Sequence, residues 1–134
     1  MPSLRDETLG IQADEDVVRA RQATRQLAVE MGFRLVDQTK IVTAASELAR
    51  NTLIHGGGGT VRLEVLQEGA RRGLQLTFED KGPGIGDLKL ALSDGYTTGS
   101  GLGLGLGGAK RLVHEFSITA VPGQGTTVRV VSWR

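Results

Sequence analysis

The sequence predicts an α+β fold: a two-layer α/β sandwich in which a mixed, mainly antiparallel sheet carries helices on one face and turns the other to solvent. Three observations predict it. Segments with apolar residues at three- and four-residue steps are interspersed with segments that alternate apolar and polar residues. The later strand-like segments adjoin in pairs across short glycine-containing turns, which dictates antiparallel pairing. The 134 residues, 39% of them hydrophobic, suffice for one core and no more, so a single domain over 1–134 is expected.

In chain order, residues 6–12 read as a short edge strand. Asp14 is expected to cap a helix whose first turn carries Glu15 and Asp16. Val17, Ala20, Ala23, Leu27 and Met31 give that helix its apolar face, and Gly32 stops it. A second helix is expected from Asp37 to about Ile54, ended by Gly56 to Gly59. On a helical wheel of ~100° per residue, Ile41, Val42, Ala44, Ala45, Leu48, Ala49 and Leu53 fill one continuous arc. Asn51 falls just outside that arc and Glu47 one step further round. They are four residues apart, so the two side chains stand together. Residues 60–67 and 73–79 alternate as two strands joined by a hairpin loop. Asp80 to Gly86 is rich in turn residues, 87–92 reads as a short helix and 93–101 as a polar loop. A helix is expected from about Leu102 to about Glu115. Residues 116–121 and 126–133 then form a second hairpin around Pro122 to Gly125.

Composition excludes several classes of function. Sixteen Lys and Arg against 15 Asp and Glu, with 4% aromatics, do not make a nucleic-acid-binding surface. The absence of Cys excludes a disulfide framework, a Cys zinc site and a Cys nucleophile. No run approaches the ~18 apolar residues of a membrane span, and the N-terminus has no apolar run for a secretory signal. A complete, soluble, cytoplasmic protein is expected. The 20 glycines stand out, at about twice the usual ~7%. Each costs backbone entropy on folding, so some should be in use.

Two glycine clusters suggest that use. Asp80-Lys81-Gly82-Pro83-Gly84 follows a strand. Its glycines let backbone approach a flat ligand, and its carboxylate can accept a hydrogen bond from an exocyclic amine. Taken alone, it also fits a tight turn. The stretch Gly99 to Gly108 runs into a helix, where freed N–H groups make an anion site. Gly103-x-Gly105-x-x-Gly108 has the spacing of a dinucleotide fingerprint, but no strand precedes it and no acidic residue follows near position 128. Lys110 lies between Ala109 and Arg111, which is not a Walker A loop. The pair Glu47 and Asn51 could bind a metal or a water through oxygen, and taken alone also fits a solvated helix face.

The order Glu47-x-x-x-Asn51 on a helix, Asp80-x-Gly82-x-Gly84 after a strand, Gly101-x-Gly103-x-Gly105 before a helix and a late Gly125-Thr126 resembles the GHKL ATPase superfamily. That superfamily includes gyrase B, Hsp90, MutL, sensor histidine kinases and small anti-sigma-factor kinases. Gyrase B, Hsp90 and MutL carry domains for which this chain has no room. A sensor kinase needs a phosphoacceptor His upstream, whereas His55 and His114 both lie inside the module. The chain is therefore similar to the stand-alone serine/threonine-protein kinases of the anti-sigma regulatory factor family. Through SELARN, DGYTTGSGLGLGL and KRLVHEF it resembles the stressosome switch kinases among them, over nearly its whole length.

The resemblance implies the Bergerat ATP-binding fold, ATP as phosphoryl donor and Mg²⁺. It implies that Asn51 binds Mg²⁺, that Glu47 is the general base, and that Asp80 accepts from the adenine amine. Thr126 would support the adenine contact, with Thr127 a weaker candidate. Gly82 and Gly84 would let backbone approach the base. Gly101, Leu102, Gly103, Leu104 and Gly105 would cradle the phosphates under a lid that includes Thr97, Thr98 and Ser100. Lys81 departs from the family, where a small or neutral residue is commoner. Implied partners are STAS-domain antagonist and scaffold proteins and a PP2C-type phosphatase, with neither nucleic acid nor membrane. The output would be a partner switch in stress signalling that controls a sigma factor. Two other readings stay open: an anti-sigma factor with ATP as regulatory ligand, and a non-catalytic phosphatase activator. The run Gly56 to Gly59 reads only as a helix stop, and its length has no explanation in the sequence.

Overall fold

A computed structural model of the chain describes residues 3–82 and 106–134. Its elements are β1 (Ser3–Ile11), α1 (Asp14–Glu30), α2 (Leu35–Ile54), β2 (Gly59–Glu68), β3 (Arg71–Asp80), α3 (Leu106–Arg111), β4 (Glu115–Val121) and β5 (Gly125–Trp133). The five strands form one sheet in the order β1-β2-β3-β5-β4, and every described pairing is antiparallel. The expected helix at 87–92 and loop at 93–101 lie outside the described residues.

Helix α1 starts differently from the expectation. Asp14 is its first helical residue, the N-cap is Ala13, and no side chain of the N-cap residue bonds the helix. Asp16 supplies the capping instead: its Oδ2 accepts from the backbone N–H of Gln12 at 2.9 Å and of Ala13 at 3.1 Å. At the other end Gly32 takes φ +81°, the left-handed geometry that a residue with a Cβ resists. The N–H of Gly32 donates to the Val29 carbonyl and that of Phe33 to the Ala28 carbonyl, a Schellman pattern that buries Phe33.

Helix α2 begins at Leu35, two residues before the expected Asp37. It buries Ile41, Val42, Ala44, Ala45, Leu48 and Ala49, as the wheel requires, together with Thr52. Thr52 joins the core because its hydroxyl donates to the Leu48 carbonyl at 2.9 Å. Leu53 is only half-buried, though it packs against the core. Both helices cover one face of the sheet, where Val61, Leu63, Leu74, Leu76, Phe78, Val128 and Val130 complete the core. Each such side chain contributes about 1.5–3 kcal/mol on leaving water.

The strands are longer than their apolar alternation suggests. β1 runs from Ser3 to Ile11 rather than over 6–12, because Ser3 and Arg5 pair with Leu66 and Val65 of β2; within it Arg62 forms a paired contact with Asp6. β2 and β3 are joined by Gly69 and Ala70 alone. Helix α3 stops at Arg111, well before the expected Glu115, because the His114 N–H donates to the Val131 carbonyl and Glu115 already pairs in the sheet.

The sheet face away from the helices is not simply solvated. Val131, Leu66 and the carboxylate-bearing Glu64 are buried there. Trp133 crosses onto Gly73 of β3, where a Cβ would stand 2.7 Å from the indole. Its Nε1 donates to Glu115 and the Arg71 guanidinium lies 4.0 Å above the ring. Gln75 continues the polar row, donating to Glu64 and accepting from Arg129.

Candidate nucleotide site

The site grows from the C-terminal turn of α2 and the end of β3. Helix periodicity leaves Asn51 half-buried at the edge of the buried arc, and Glu47 exposed one turn earlier. The Asn51 amide nitrogen, Nδ2, is buried and has no hydrogen-bond partner among the described residues. A buried amide left unpaired costs about 1–3 kcal/mol, which folding alone gives no reason to retain. The Asn51 backbone is fully engaged: its carbonyl accepts from the N–H of His55 at 2.9 Å and of Gly56 at 3.1 Å. So the chain turns directly beneath a polar group that no described residue bonds.

Asp80, the last residue of β3, is paired on both sides, with Gly59 of β2 and with Thr126 of β5. By strand alternation it points to the helix-covered face with Leu76 and Phe78. Thr126 shares that face, whereas Thr127 pairs with Glu79 and faces away. The backbone N–H of Gly82 donates to Asp80 Oδ1 at 2.9 Å, a turn that fixes one carboxylate oxygen.

Backbone closes round Asp80 where no Cβ would fit. A Cβ at Gly56 would stand 2.4 Å from Asp80 Cγ, one at Gly82 2.7 Å from the Gly56 Cα, and one at Gly125 2.2 Å from the Asp80 carbonyl oxygen. Gly59 is equally constrained, 2.0 Å from the Glu79 carbonyl. Gly56 and Gly59, read from sequence only as part of a helix stop, are thus packed against the strand end that carries the acidic residue. Their partners Asp80 and Glu79 lie twenty or more residues away in sequence, and local pattern carries no signal of them.

The structure therefore brings together Asn51, Asp80, Gly82 and Thr126, with Glu47 one helical turn from Asn51. Gly84, Gly101, Leu102, Gly103, Leu104, Gly105, Thr97, Thr98 and Ser100 lie outside the described residues. Among the described residues no three His, Asp or Glu side chains gather to form a metal cage. An octahedral Mg²⁺ that keeps waters and substrate phosphates needs only one or two protein oxygens; Asn51 Oδ1 is the atom that could supply one, while the unpaired Nδ2 is a donor suited to a phosphate or water oxygen.

Fold and site together define a nucleotide-binding domain with an Asn on one helix and an Asp at the end of a central strand. Residues 36–133 match the family of histidine kinase-, DNA gyrase B- and HSP90-like ATPases, and the chain belongs to it. Over 123 residues it is 45% identical to the serine/threonine-protein kinase RsbT of Bacillus subtilis, spanning 92% of each chain. That relationship places it in the serine/threonine-protein kinase branch of the family. It is 27% identical over 119 residues to the anti-sigma F factor of a Thermoanaerobacter species, covering 85% of this chain and 82% of the other. A Mycobacterium tuberculosis protein with RsbU and RsbW domains shares the fold at TM-score 0.64 and 22% identity, matching all of this chain and 33% of that one. Among the described residues no helix is long and apolar enough to cross a membrane.

Proposed function

We propose that residues 1–134 act as one domain that transfers the γ-phosphoryl group of ATP to a serine or threonine of a small STAS-domain partner, and that exchange among partners makes the enzyme a switch in cytoplasmic stress signalling. The observation that carries the reading is the convergence of the Asn51 turn and Asp80 on Gly56, which puts a spare amide and a fixed carboxylate at one end of the helix–sheet interface.

In this reading Asp80 accepts from the adenine amine, with Thr126 beside it in the sheet. Gly82 and Gly84 admit the base edge-on, and the amides of Gly101 to Gly105 face the phosphates with Thr97, Thr98 and Ser100 in the lid. Asn51 holds Mg²⁺, which when bound offsets phosphate charge. Glu47, exposed and next to Asn51 on the helix, takes the proton of the attacking hydroxyl. The hydroxyl oxygen bonds the γ-phosphorus as the bond to the β-phosphate oxygen breaks, and ADP leaves.

The anti-sigma F relative supports a second reading, in which ATP regulates the sequestration of a sigma subunit. A PP2C-type phosphatase is the further partner the switch would release or engage. Incubation with labelled ATP, Mg²⁺ and purified STAS-domain proteins decides between them. Label on a serine or threonine of a STAS protein is expected. Stable capture of a sigma factor with no label transferred would favour the second reading.

A further inference from the structure

We infer that Gly56 is a positioning residue for base recognition, acting through Asp80. The inference rests on the reading of Asp80 as the adenine contact and extends it to a residue that makes no contact of its own with the nucleotide. Gly56 is held by its N–H bond to the Asn51 carbonyl at 3.1 Å, and Gly58 by its bond to the Thr52 carbonyl at 2.9 Å. The loop is thereby tied to the last turn of α2. From that anchored position Gly56 leaves no room for a side chain: its Cβ would be 2.4 Å from Asp80 Cγ, 2.5 Å from Asp80 Cβ and 2.6 Å from Oδ2.

The Cβ contact is the decisive one. Rotation of Asp80 about χ1 moves its carboxylate but not its Cβ. That Cβ hangs from a strand paired on both sides, so the strand cannot retreat cheaply. A methyl group at 56 therefore displaces either the loop or the strand end, and in both cases Asp80 Oδ2 loses its place. The other oxygen remains tethered by the Gly82 N–H, and Gly82 itself rests on Gly56, 2.7 Å from its Cα to a built Cβ. One residue thus sets the rotamer of Asp80 from two directions. It also links the base end of the site to the turn that carries Asn51.

The test compares ATP with GTP, which presents a carbonyl where adenine presents its amine. Affinities are measured by calorimetry in Mg²⁺ for the native chain, Gly56→Ala, Asp80→Asn, the double variant and Gly57→Ala. Gly57 has φ +72° and no atom within 4 Å of a built Cβ, so Gly57→Ala strains the same loop without touching Asp80. We expect Gly56→Ala to weaken ATP binding about tenfold or more, the scale of one charge-assisted hydrogen bond, and to leave weak GTP binding unchanged. In the Asp80→Asn background Gly56→Ala should cost nothing further, the signature of action through one group. Gly57→Ala should lower the thermal midpoint and keep the ATP:GTP ratio.

Equal losses for ATP and GTP, additive effects in the cycle, or an unchanged ratio in Gly56→Ala overturn the inference. Unchanged ATP affinity in Asp80→Asn overturns the adenine reading itself, which is a separate failure. If Gly56→Ala fails to fold in both the native and the Asp80→Asn backgrounds while Gly57→Ala folds, Gly56 is needed for folding rather than for positioning Asp80, and the inference is overturned.

Discussion

Replacing Asn51 by Leu, a side chain of nearly the same shape without polar atoms, should make the nucleotide-free protein more stable while removing its response to nucleotide. The Nδ2 amide is buried with no partner among the described residues, and such a group costs about 1–3 kcal/mol. Unfolding entropy of about 2.1 cal/mol/K per residue over 134 residues gives about 0.28 kcal/mol per degree. Relief of 1–2 kcal/mol then raises the thermal midpoint by about 4–7 °C. The native chain should gain about 2.7 kcal/mol, or roughly 10 °C, from Mg²⁺-ATP at a hundred times its dissociation constant. Asn51→Leu should gain little. The assay is thermal unfolding followed by circular dichroism, without nucleotide, with Mg²⁺-ATP, and with ATP and a chelator. A lower midpoint for nucleotide-free Asn51→Leu would show that the amide is a structural partner after all. A nucleotide shift of native size would refute its assignment to the metal.

Glu47→Ala, which alters an exposed side chain, should bind ATP within about twofold of the native chain yet transfer phosphate to a STAS partner at least about a hundredfold more slowly; full-rate transfer would remove Glu47 as the base. Gly125→Ala combines φ +129° with a Cβ 2.2 Å from the Asp80 carbonyl, and should cost about 2–5 kcal/mol by urea unfolding. Gly123→Ala, at φ +80° in open space within the same turn, should cost only about 1–2 kcal/mol. The hydrogen bond from Arg62 holds the Asp6 carboxyl below its ordinary value of 3.8. Asp6 therefore adds stability above that value which is lost as pH falls through its lowered folded midpoint. Arg62→Gln should return the Asp6 carboxyl midpoint, read by carbon NMR, to the ordinary range.

What could be read from sequence follows the range of the interactions. The buried arc of α2 was legible because Ile41, Ala44, Ala45 and Leu48 are neighbours through a local period. The four later strands were legible from alternation, but the register that sets Thr126 beside Asp80 is a tertiary pairing that alternation alone does not fix. The full length of β1 was not: the sequence reads a strand from Asp6, and Ser3 and Arg5 join it only by pairing with Leu66 and Val65 of β2. The end of α3 was misread because Leu112 and Val113 continue the apolar rhythm, whereas sheet pairing from His114 onward overrides it. Gly32 could be placed as a helix stop from its own neighbourhood. The need for glycine at 56 and 59 depends on Asp80 and Glu79, and so on a tertiary contact.

That difference explains where the glycine excess sits and why it is tolerated. Glycine in a strand or loop gives up conformational freedom on folding and returns no side-chain burial. At Gly59, Gly56 and Gly125 the return is close approach: β2, the loop after α2 and β5 each bring bare backbone against the end of β3. A carboxylate at the tip of a strand would ordinarily be the freest group on that strand. Here its own strand is paired on both flanks, one oxygen is bonded by Gly82, and the other is backed by Gly56. Holding an acceptor in one orientation before the ligand arrives removes the ordering cost from binding. The glycines near Asp80 therefore act as an orienting frame for a single side chain, a use distinct from the anion-facing amides expected of the stretch Gly99 to Gly108.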